Sequence, residues 1–264
     1  MGRLAERFEL LRERGEKALI PFVTAGDPDL DTTEALVLAL AEAGADVIEI
    51  GVPFSDPMAE GPTIQRASER ALASGTSLRR VLERVRALRP RVDLPLVLMG
   101  YTNNFFAMGA DAFATAAAEA GVDGLIVVDL PPEEGEAFYG RIRRAGIDPI
   151  LLAAPTTRAA RLEKLAKETR GFLYFVSLTG VTGARRELSA TLEAELGAVR
   201  AVSDVPVCVG FGVSTPEQAR HVSELADGVV VGSALIDRIE RAPSREAAVD
   251  AAAAFVAELK TQLR

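Results

Sequence analysis

The chain is poor in the side chains on which many enzymes and metal sites depend. Its 264 residues include one cysteine, one histidine and no tryptophan. Cys208 alone excludes a disulfide framework and fits a reducing cytoplasm, where we expect the protein to reside. One cysteine and one histidine are also too few for a zinc or iron cluster, so we expect no metal. His221 lies in the segment PEQARHVSELA, which is typical of an outer helix and favours a structural role.

Lysine is scarce as well. The chain has only Lys17, Lys164, Lys167 and Lys260, and none of them follows an apolar strand, where a lysine that forms a Schiff base would be expected. Any acid–base chemistry therefore falls to carboxylates, tyrosines or hydroxyl groups.

Long apolar runs and basic tracts are missing too. No apolar run approaches the roughly 18 residues of a membrane-spanning helix, and the first segment, MGRLAERFELLRERGEK, lacks the apolar centre of a signal peptide. The formal net charge of −8 disfavours nucleic acid and anionic membranes as partners.

The chain instead contains eight short runs rich in valine, isoleucine and leucine, each followed by a turn and a helical pattern. These runs do not alternate with polar residues, which indicates strands buried on both faces, as in a parallel sheet. Eight such units in about 250 residues predict an α/β fold, a (β/α)8 TIM barrel, as a single domain over residues 1–264. A doubly wound sheet fits less well, because an early GxGxxG turn is absent. The runs span residues 18–23, 47–51, 94–100, 124–128, 148–153, 172–177, 205–210 and 228–232.

A short N-terminal helix precedes the first run. Leu4, Phe8 and Leu11 fall on one face of it. This face either caps the bottom of the barrel or belongs to an ordinary surface helix.

Glu49 is the first candidate for chemistry. In the run VIEIG, Val47, Glu49 and Gly51 share one face, while Ile48 and Ile50 share the other. If the isoleucines pack on helices, Glu49 points into the barrel mouth, where loss of water should raise its pKa toward the range of a general acid–base group. An ion pair with an interior arginine is the alternative, but no predicted strand carries one.

The loop after this second strand carries two further carboxylates, Asp56 and Glu60. Prolines and glycines give the loop a stiff path. Either carboxylate could reach over the barrel mouth, although spacing alone favours a solvated loop position for both.

Glycines at three strand ends predict an anion site. Gly232 and Ser233 open the last barrel helix, whose N-terminal amides suit a phosphate. Gly210 and Gly212 would allow close backbone approach, and we expect a capping box between Ser214 and Glu217. The sixth loop, with Gly180 and Gly183, has the length of a lid.

Four motifs of the chain together resemble the tryptophan synthase alpha subunit family. They are PFVTAGDPD, IEIGVPFSDPMAEGPTIQ, SLTGVTG and GFGVSTPEQ, and the similarity runs from about residue 4 to 260. The resemblance implies a lyase of tryptophan biosynthesis that cleaves 1-C-(indol-3-yl)glycerol 3-phosphate to indole and glyceraldehyde 3-phosphate.

The resemblance also implies roles for individual residues. Glu49 matches the family's catalytic glutamate, and Glu60 matches its second-loop catalytic acid, where the family usually has aspartate. Thr182 matches the lid threonine that pairs with this acid. The phosphate ligands correspond to Gly183, Gly212, Gly232 and Ser233. The residues of the indole pocket correspond to Phe22, Met99, Tyr101, Asp129, Tyr174 and Phe211.

The implied partner is a tryptophan synthase beta subunit in an α2β2 complex, to which indole passes. Pyridoxal phosphate is expected only in that partner, and no cofactor in this chain. Two alternatives remain open, namely a stand-alone lyase that releases indole, and a weakly active partner that mainly activates the beta subunit.

Overall fold

The computed structural model describes residues 2–177, 185–210 and 212–263, with the backbone alone for residues 185–191. Within these ranges the strands form one nine-stranded parallel sheet. In chain order the strands are β1 Ala18–Thr24, β2 Ile48–Gly51, β3 Leu96–Gly100, β4 Gly124–Val127, β5 Asp148–Pro149, β6 Leu152–Ala153, β7 Leu173–Val176, β8 Val207–Gly210 and β9 Gly228–Val231.

The helices follow the strands, as expected for repeated β-α units. They are α1 Arg3–Arg14, α2 Leu30–Glu42, α3 Pro62–Ala73, α4 Leu78–Leu88, α5 Thr102–Phe106, α6 Ala110–Ala120, α7 Pro132–Arg144, α8 Ala159–Glu168, α9 Arg185–Arg200, α10 Pro216–Leu225, α11 Ser233–Arg241 and α12 Arg245–Thr261, with one 3-10 turn at Arg89–Arg91. None of the helices that the structure describes has both the length and the apolar character needed to cross a bilayer.

The fifth predicted strand is interrupted. It forms β5 and β6, which are the two ends of the strand order β5-β4-β3-β2-β1-β9-β8-β7-β6. The Ile150 amide donates to the Leu125 carbonyl on the β4 side (2.9 Å), whereas the Leu151 carbonyl accepts from Tyr174 on the β7 side (3.0 Å). This short segment therefore bonds to both neighbours and closes the sheet into the predicted barrel.

The barrel has an outer and an inner apolar layer. Ile48 and Ile50 belong to the outer layer, between the sheet and its helices, while Val47 belongs to the inner one. Leu4, Phe8 and Leu11 of α1 also join the inner layer, and the Phe8 ring lies 5.8 Å from the Phe172 ring. The N-terminal helix thus caps the bottom of the barrel, which decides between the two alternatives.

Aspartates mark the entry to three strands at this bottom end. The carboxylates of Asp46, Asp123 and Asp227 accept the backbone N–H groups of Leu19, Leu96 and Val207, at 2.8, 2.9 and 2.9 Å respectively. Each aspartate precedes one strand and each amide belongs to a neighbouring strand, so each contact fixes the register of a strand pair.

Asp46 also forms a buried ion pair. Its carboxylate lies 2.8 Å from the Lys260 Nζ, and both residues are nearly excluded from solvent. This pair joins α12 to the loop before β2.

Candidate active site

Glu49 is the second residue of β2, which lies between β1 and β3 in the sheet. It lies opposite Phe22 of β1 and Val97 of β3. The residue is 1% exposed, and its Oε2 atom has no hydrogen-bond partner among the residues described. This burial confirms that Glu49 is removed from water, and the outer-layer positions of Ile48 and Ile50 leave it on the inner face of β2.

Burial raises the pKa of Glu49 to about 8, and the negative charge of Glu60 contributes to this rise. A buried carboxylate without a nearby cation is destabilised, so the neutral acid is favoured. At neutral pH Glu49 is therefore predominantly protonated and able to donate a proton.

Glu60 reaches a cavity at the carboxyl ends of the strands from the loop between β2 and α3. Its Oε2 accepts a hydrogen bond from the Tyr101 hydroxyl. The backbone carbonyl of Glu60 accepts from Gln65 Nε2 at 3.0 Å, and its amide donates to the Pro57 carbonyl at 3.1 Å. Hydrogen bonds thus fix both the backbone and the carboxylate of Glu60. Burial raises the pKa of Glu60, and the hydrogen bond from Tyr101 opposes that rise.

Asp56, the other carboxylate of this loop, is placed differently. It is exposed, and its Oδ2 accepts from the neighbouring Ser55 hydroxyl at 2.6 Å. Of the two loop carboxylates, only Glu60 lines the cavity.

The cavity wall combines apolar and hydroxyl side chains around Glu60. It includes Phe22, Met99 and Tyr101, which the sequence had assigned to the indole pocket. The other lining residues are Thr24, Gly51, Val52, Phe54, Pro57, Ile64, Ser68 and Gly100.

The sequence analysis assigned none of these eight other lining residues to the site, and Thr24, Ile64 and Ser68 are examples. Thr24 is 2% exposed, and its hydroxyl has no hydrogen-bond partner in the described part of the chain. Its position two residues after Phe22, on the same face of β1, is a signal that could have identified it. The positions of Ile64 and Ser68 depend on how α3 packs over the mouth, which no local pattern indicates.

Tyr174 of β7 approaches the carboxylates from the opposite side of the barrel. Burial raises its pKa well above the usual value, and the charges of Glu49 and Glu60 contribute to this rise. A Cβ atom at Gly210 would overlap the Tyr174 hydroxyl. Glycine at 210 therefore makes room for this tyrosine.

Asp129 lies on the rim, outside the set of cavity-lining residues. It is exposed, and its Oδ1 accepts from the Thr102 amide at 2.7 Å and from the Thr102 hydroxyl at 2.8 Å. Its charge nevertheless raises the pKa of Glu60.

The predicted phosphate residues follow β8 and β9. Gly232 is the N-cap of α11 and Ser233 is its first residue, as predicted. Gly212 has a φ of 74°, in the left-handed region that favours glycine. Thr182, Gly183 and Phe211 lie outside the described residues, as does the rest of the predicted lid at 178–184.

The predicted capping box between Ser214 and Glu217 is wrong. The box forms between Thr215 and Gln218, one residue later. Pro216 occupies the first helical position of α10, so the cap is the residue just before it.

Helix α3 is fastened to its surroundings by ion pairs. Arg70 Nε and Nη2 contact the Asp27 carboxylate at 2.7 and 2.9 Å, and Arg70 Nη1 contacts Glu240 of α11 at 2.6 Å. Arg66 adds a bidentate contact to Glu240. These contacts hold α3, the helix that follows Glu60, against α11, the helix whose N-cap is Gly232.

Comparison with known proteins agrees with this geometry. The family model described as tryptophan synthase alpha chain matches residues 8–264. The tryptophan synthase alpha chain of Citrifermentans bemidjiense is 54% identical over 260 residues, which cover 98% of this chain and 97% of that protein.

Solved structures give the same result. The tryptophan synthase alpha subunit of Legionella pneumophila str. Paris superposes with a TM-score of 0.92 at 42% identity, covering 100% of this chain and 98% of the other. A chain of tryptophan synthase from M. tuberculosis, in an aminoacrylate-bound form, superposes with a TM-score of 0.89 at 36% identity and covers both chains fully. The fold and the sequence thus point to one family.

Proposed function

Because the chain belongs to the tryptophan synthase alpha chain family, we propose that Glu49 and Glu60 perform the proton transfers of that family's reaction. The reaction is the cleavage of 1-C-(indol-3-yl)glycerol 3-phosphate to indole and glyceraldehyde 3-phosphate, a lyase step in tryptophan biosynthesis. The observation that carries the proposal is the buried, neutral Glu49 carboxyl beside a second carboxylate.

We assign to Glu49 the proton transfers at C3 of the indole ring and at the adjacent glycerol hydroxyl. Its neutral acid donates a proton to C3 of the indole ring, which makes the ring an electron acceptor. The resulting carboxylate takes the proton of the adjacent glycerol hydroxyl as the carbon–carbon bond breaks and the aldehyde forms. The electron pair of the broken bond returns to the ring, and Glu49 ends in its starting state.

Glu60 is assigned to the ring nitrogen. It polarises or accepts the N–H proton while C3 is protonated, and it returns that proton as aromatic indole forms again. Glu60 reaches the cavity from the loop, on the side where Tyr101 and Met99 offer an aromatic and a thioether surface to a flat ring. Phe22, Tyr174, Phe211 and Asp129 complete the proposed indole pocket, and Thr182 is the proposed lid partner of Glu60.

The phosphate is assigned to the N-terminus of α11. Gly232 and Ser233 supply backbone amides there, and the helix dipole favours a negative charge. Gly212 and Gly183 are the further proposed ligands. Binding energy from this remote group would position the carbon chain over Glu49.

An alpha chain of tryptophan synthase implies a beta subunit as partner. We propose an α2β2 complex in the cytoplasm, in which indole passes from this chain to the beta subunit. Pyridoxal phosphate then belongs to the beta subunit, and this chain works without a cofactor or metal.

Turnover of the purified chain tests the carboxylate roles. We expect Glu49→Gln to lower kcat by about 10²- to 10⁴-fold, because the amide cannot transfer the proton. Glu60→Ala should lose most of the activity, whereas Asp56→Asn, on the same loop but exposed, should stay close to the parental rate.

The reverse pattern, with Asp56→Asn impaired and Glu60→Ala active, would assign the loop function to Asp56. Repeating the assay with a tryptophan synthase beta chain tests the partnership, and we expect stimulation. High turnover that a beta chain leaves unchanged would instead support a stand-alone lyase.

A further inference from the structure

The contacts of Tyr101 single out its hydroxyl group rather than its ring. The hydroxyl accepts the Ala59 backbone N–H at 2.9 Å and donates its own proton to Glu60 Oε2. Ala59 and Glu60 are consecutive residues of the second loop. One hydroxyl group therefore holds both the backbone of that loop and its carboxylate.

Tyr101 is itself rigidly placed. It is 3% exposed, and its ring stacks on Phe54 with centroids 4.9 Å apart and an interplanar angle of 24°. Its backbone amide donates to Asn104 Oδ1 at 2.9 Å, and its carbonyl accepts from the Asn104 amide at 2.9 Å. A side chain fixed at both its ring and its backbone presents its hydroxyl at one point in space.

The side chain of Glu60 is long enough for its carboxylate to reach the Tyr101 hydroxyl. Its backbone is tied to Gln65 and Pro57, so the position of its carboxylate depends on the side chain. A carboxylate on a side chain one methylene shorter would be drawn back by about 1.5 Å. At that separation the hydrogen bond to the Tyr101 hydroxyl would be lost.

We propose that Tyr101 is a positioning residue whose hydroxyl sets the reach and orientation of Glu60, and that glutamate at position 60 and tyrosine at position 101 act as a matched pair. The proposal rests on the role of Glu60 given above. It assigns the tyrosine hydroxyl a function separate from that of the ring as a wall of the indole pocket.

The two functions of Tyr101 are separable by experiment. Tyr101→Phe keeps the ring and its stacking on Phe54 and removes only the hydroxyl. Glu60→Asp keeps a carboxylate and removes its reach. A double-mutant cycle over these two substitutions, with kcat and KM measured for the indole substrate, therefore isolates the contact.

We expect Tyr101→Phe to lower kcat by about tenfold or more in the parental chain, because small misplacements of reacting groups are costly. KM should change much less, since the ring surface stays. In the Glu60→Asp background the same substitution should leave kcat nearly unchanged, because the contact is already absent.

The pH profile supplies a second readout. The titratable groups that influence the pKa of Glu60 among the described residues are Tyr101 and Asp129, and Glu60 in turn raises the pKa of Glu49. Loss of the Tyr101 hydrogen bond removes a contact that lowers the pKa of Glu60. The acid limb of kcat against pH should therefore move to higher pH in Tyr101→Phe.

Equal losses of kcat on Tyr101→Phe in the parental and the Glu60→Asp backgrounds would overturn the proposal, as would a faster Tyr101→Phe enzyme. Glu60→Ala belongs in the same series. If Glu60→Ala matches the parent, the role of Glu60 itself fails. If Glu60→Ala is impaired but the cycle shows no coupling, only the positioning role of Tyr101 fails.

Circular dichroism and thermal melting of each variant separate these outcomes from a folding defect.

Discussion

Glu49 is a carboxyl group that folding removes from water while its Oε2 stays without a hydrogen-bond partner among the described residues. Such burial costs stability, because the unfolded chain ionises this group readily in water, whereas in the folded chain its pKa is about 8. The same cost keeps the group in the acid form. A stability penalty and a catalytic property thus have one cause at this residue.

This cause predicts how the stability of Glu49→Gln depends on pH. The pKa of Glu49 is about 8 in the folded protein, against an ordinary value of 4.5. Between these values the folded chain holds a proton that the unfolded chain has released, so stability is lost as pH rises. Glutamine does not titrate. We therefore expect Glu49→Gln to gain stability over the parent between about pH 5 and 8.5, on the order of a few kcal/mol.

Denaturant unfolding of both proteins at several pH values measures this difference. Other titrating groups are common to the two proteins and cancel in the comparison. A difference that stays constant with pH would show that Glu49 is ionised in the folded state.

Local patterns in the sequence were sufficient to find Glu49 and insufficient to find the hydrogen bonds that hold Glu60. Alternation along one strand places Glu49 inside the barrel without knowledge of other elements. The contact between Glu60 and Tyr101 joins residues 41 positions apart through a loop without a periodic pattern. The roles of the individual site residues stay predictions.

At the scale of elements, helix α11 has two roles. It forms ion pairs with α3, and its N-terminus is the proposed phosphate site. Its N-cap, Gly232, has space for a side chain, because the nearest atoms to an added Cβ, on Phe22, would be 3.6 Å away. Its φ of −114° lies outside the left-handed region that favours glycine. Space therefore does not require glycine here, and an alanine and an aspartate at this position share the same backbone, so the difference between them tests charge.

We expect Gly232→Asp to raise KM by about tenfold or more, because it places a negative charge at the proposed phosphate site. Gly232→Ala is the matched control, with the same Cβ and no charge, and should change KM far less. Steady-state kinetics of the two variants decide the matter. Similar KM values for both would remove the phosphate from this helix.

The strands show where local patterns are reliable. Seven of the eight predicted runs contain one strand each, with ends that agree within two residues. The remaining run, 148–153, is divided because its amides donate to the β4 side at one end, while its Leu151 carbonyl accepts from β7 at the other. That division depends on barrel closure, which a local apolar pattern does not contain.

At the scale of the whole molecule, the two ends of the barrel differ in content. The entry end carries the strand-capping aspartates and the Asp46–Lys260 pair, and the exit end carries the cavity that Glu60 lines. Repeated apolar runs were enough to predict this architecture. The assignment of residues 1–264 to a single domain stays a prediction.

This separation predicts that Lys260→Met changes stability but not chemistry. Removing one partner of a buried ion pair leaves Asp46 uncompensated, which costs about 3–5 kcal/mol. Denaturant unfolding should show this loss, while kcat of the folded protein stays parental.

The double variant Asp46→Asn/Lys260→Met serves as the control, because it removes both charges and keeps an oxygen to accept the Leu19 amide. It should recover part of the lost stability. A fall in kcat for Lys260→Met would mean that the two ends of the barrel are coupled.

The buried acid at Glu49 also gives the protein an intrinsic vibrational label. The carbonyl stretch of a neutral carboxylic acid is separated in the infrared from the bands of ionised carboxylates. Because Glu49 holds its proton up to a pKa of about 8, its absorption should persist where most surface carboxyls are ionised, and a difference spectrum against Glu49→Gln isolates it. A shift of this C=O band would then show, without any added dye, when a substrate enters the barrel, and its loss would show when Glu49 gives up its proton.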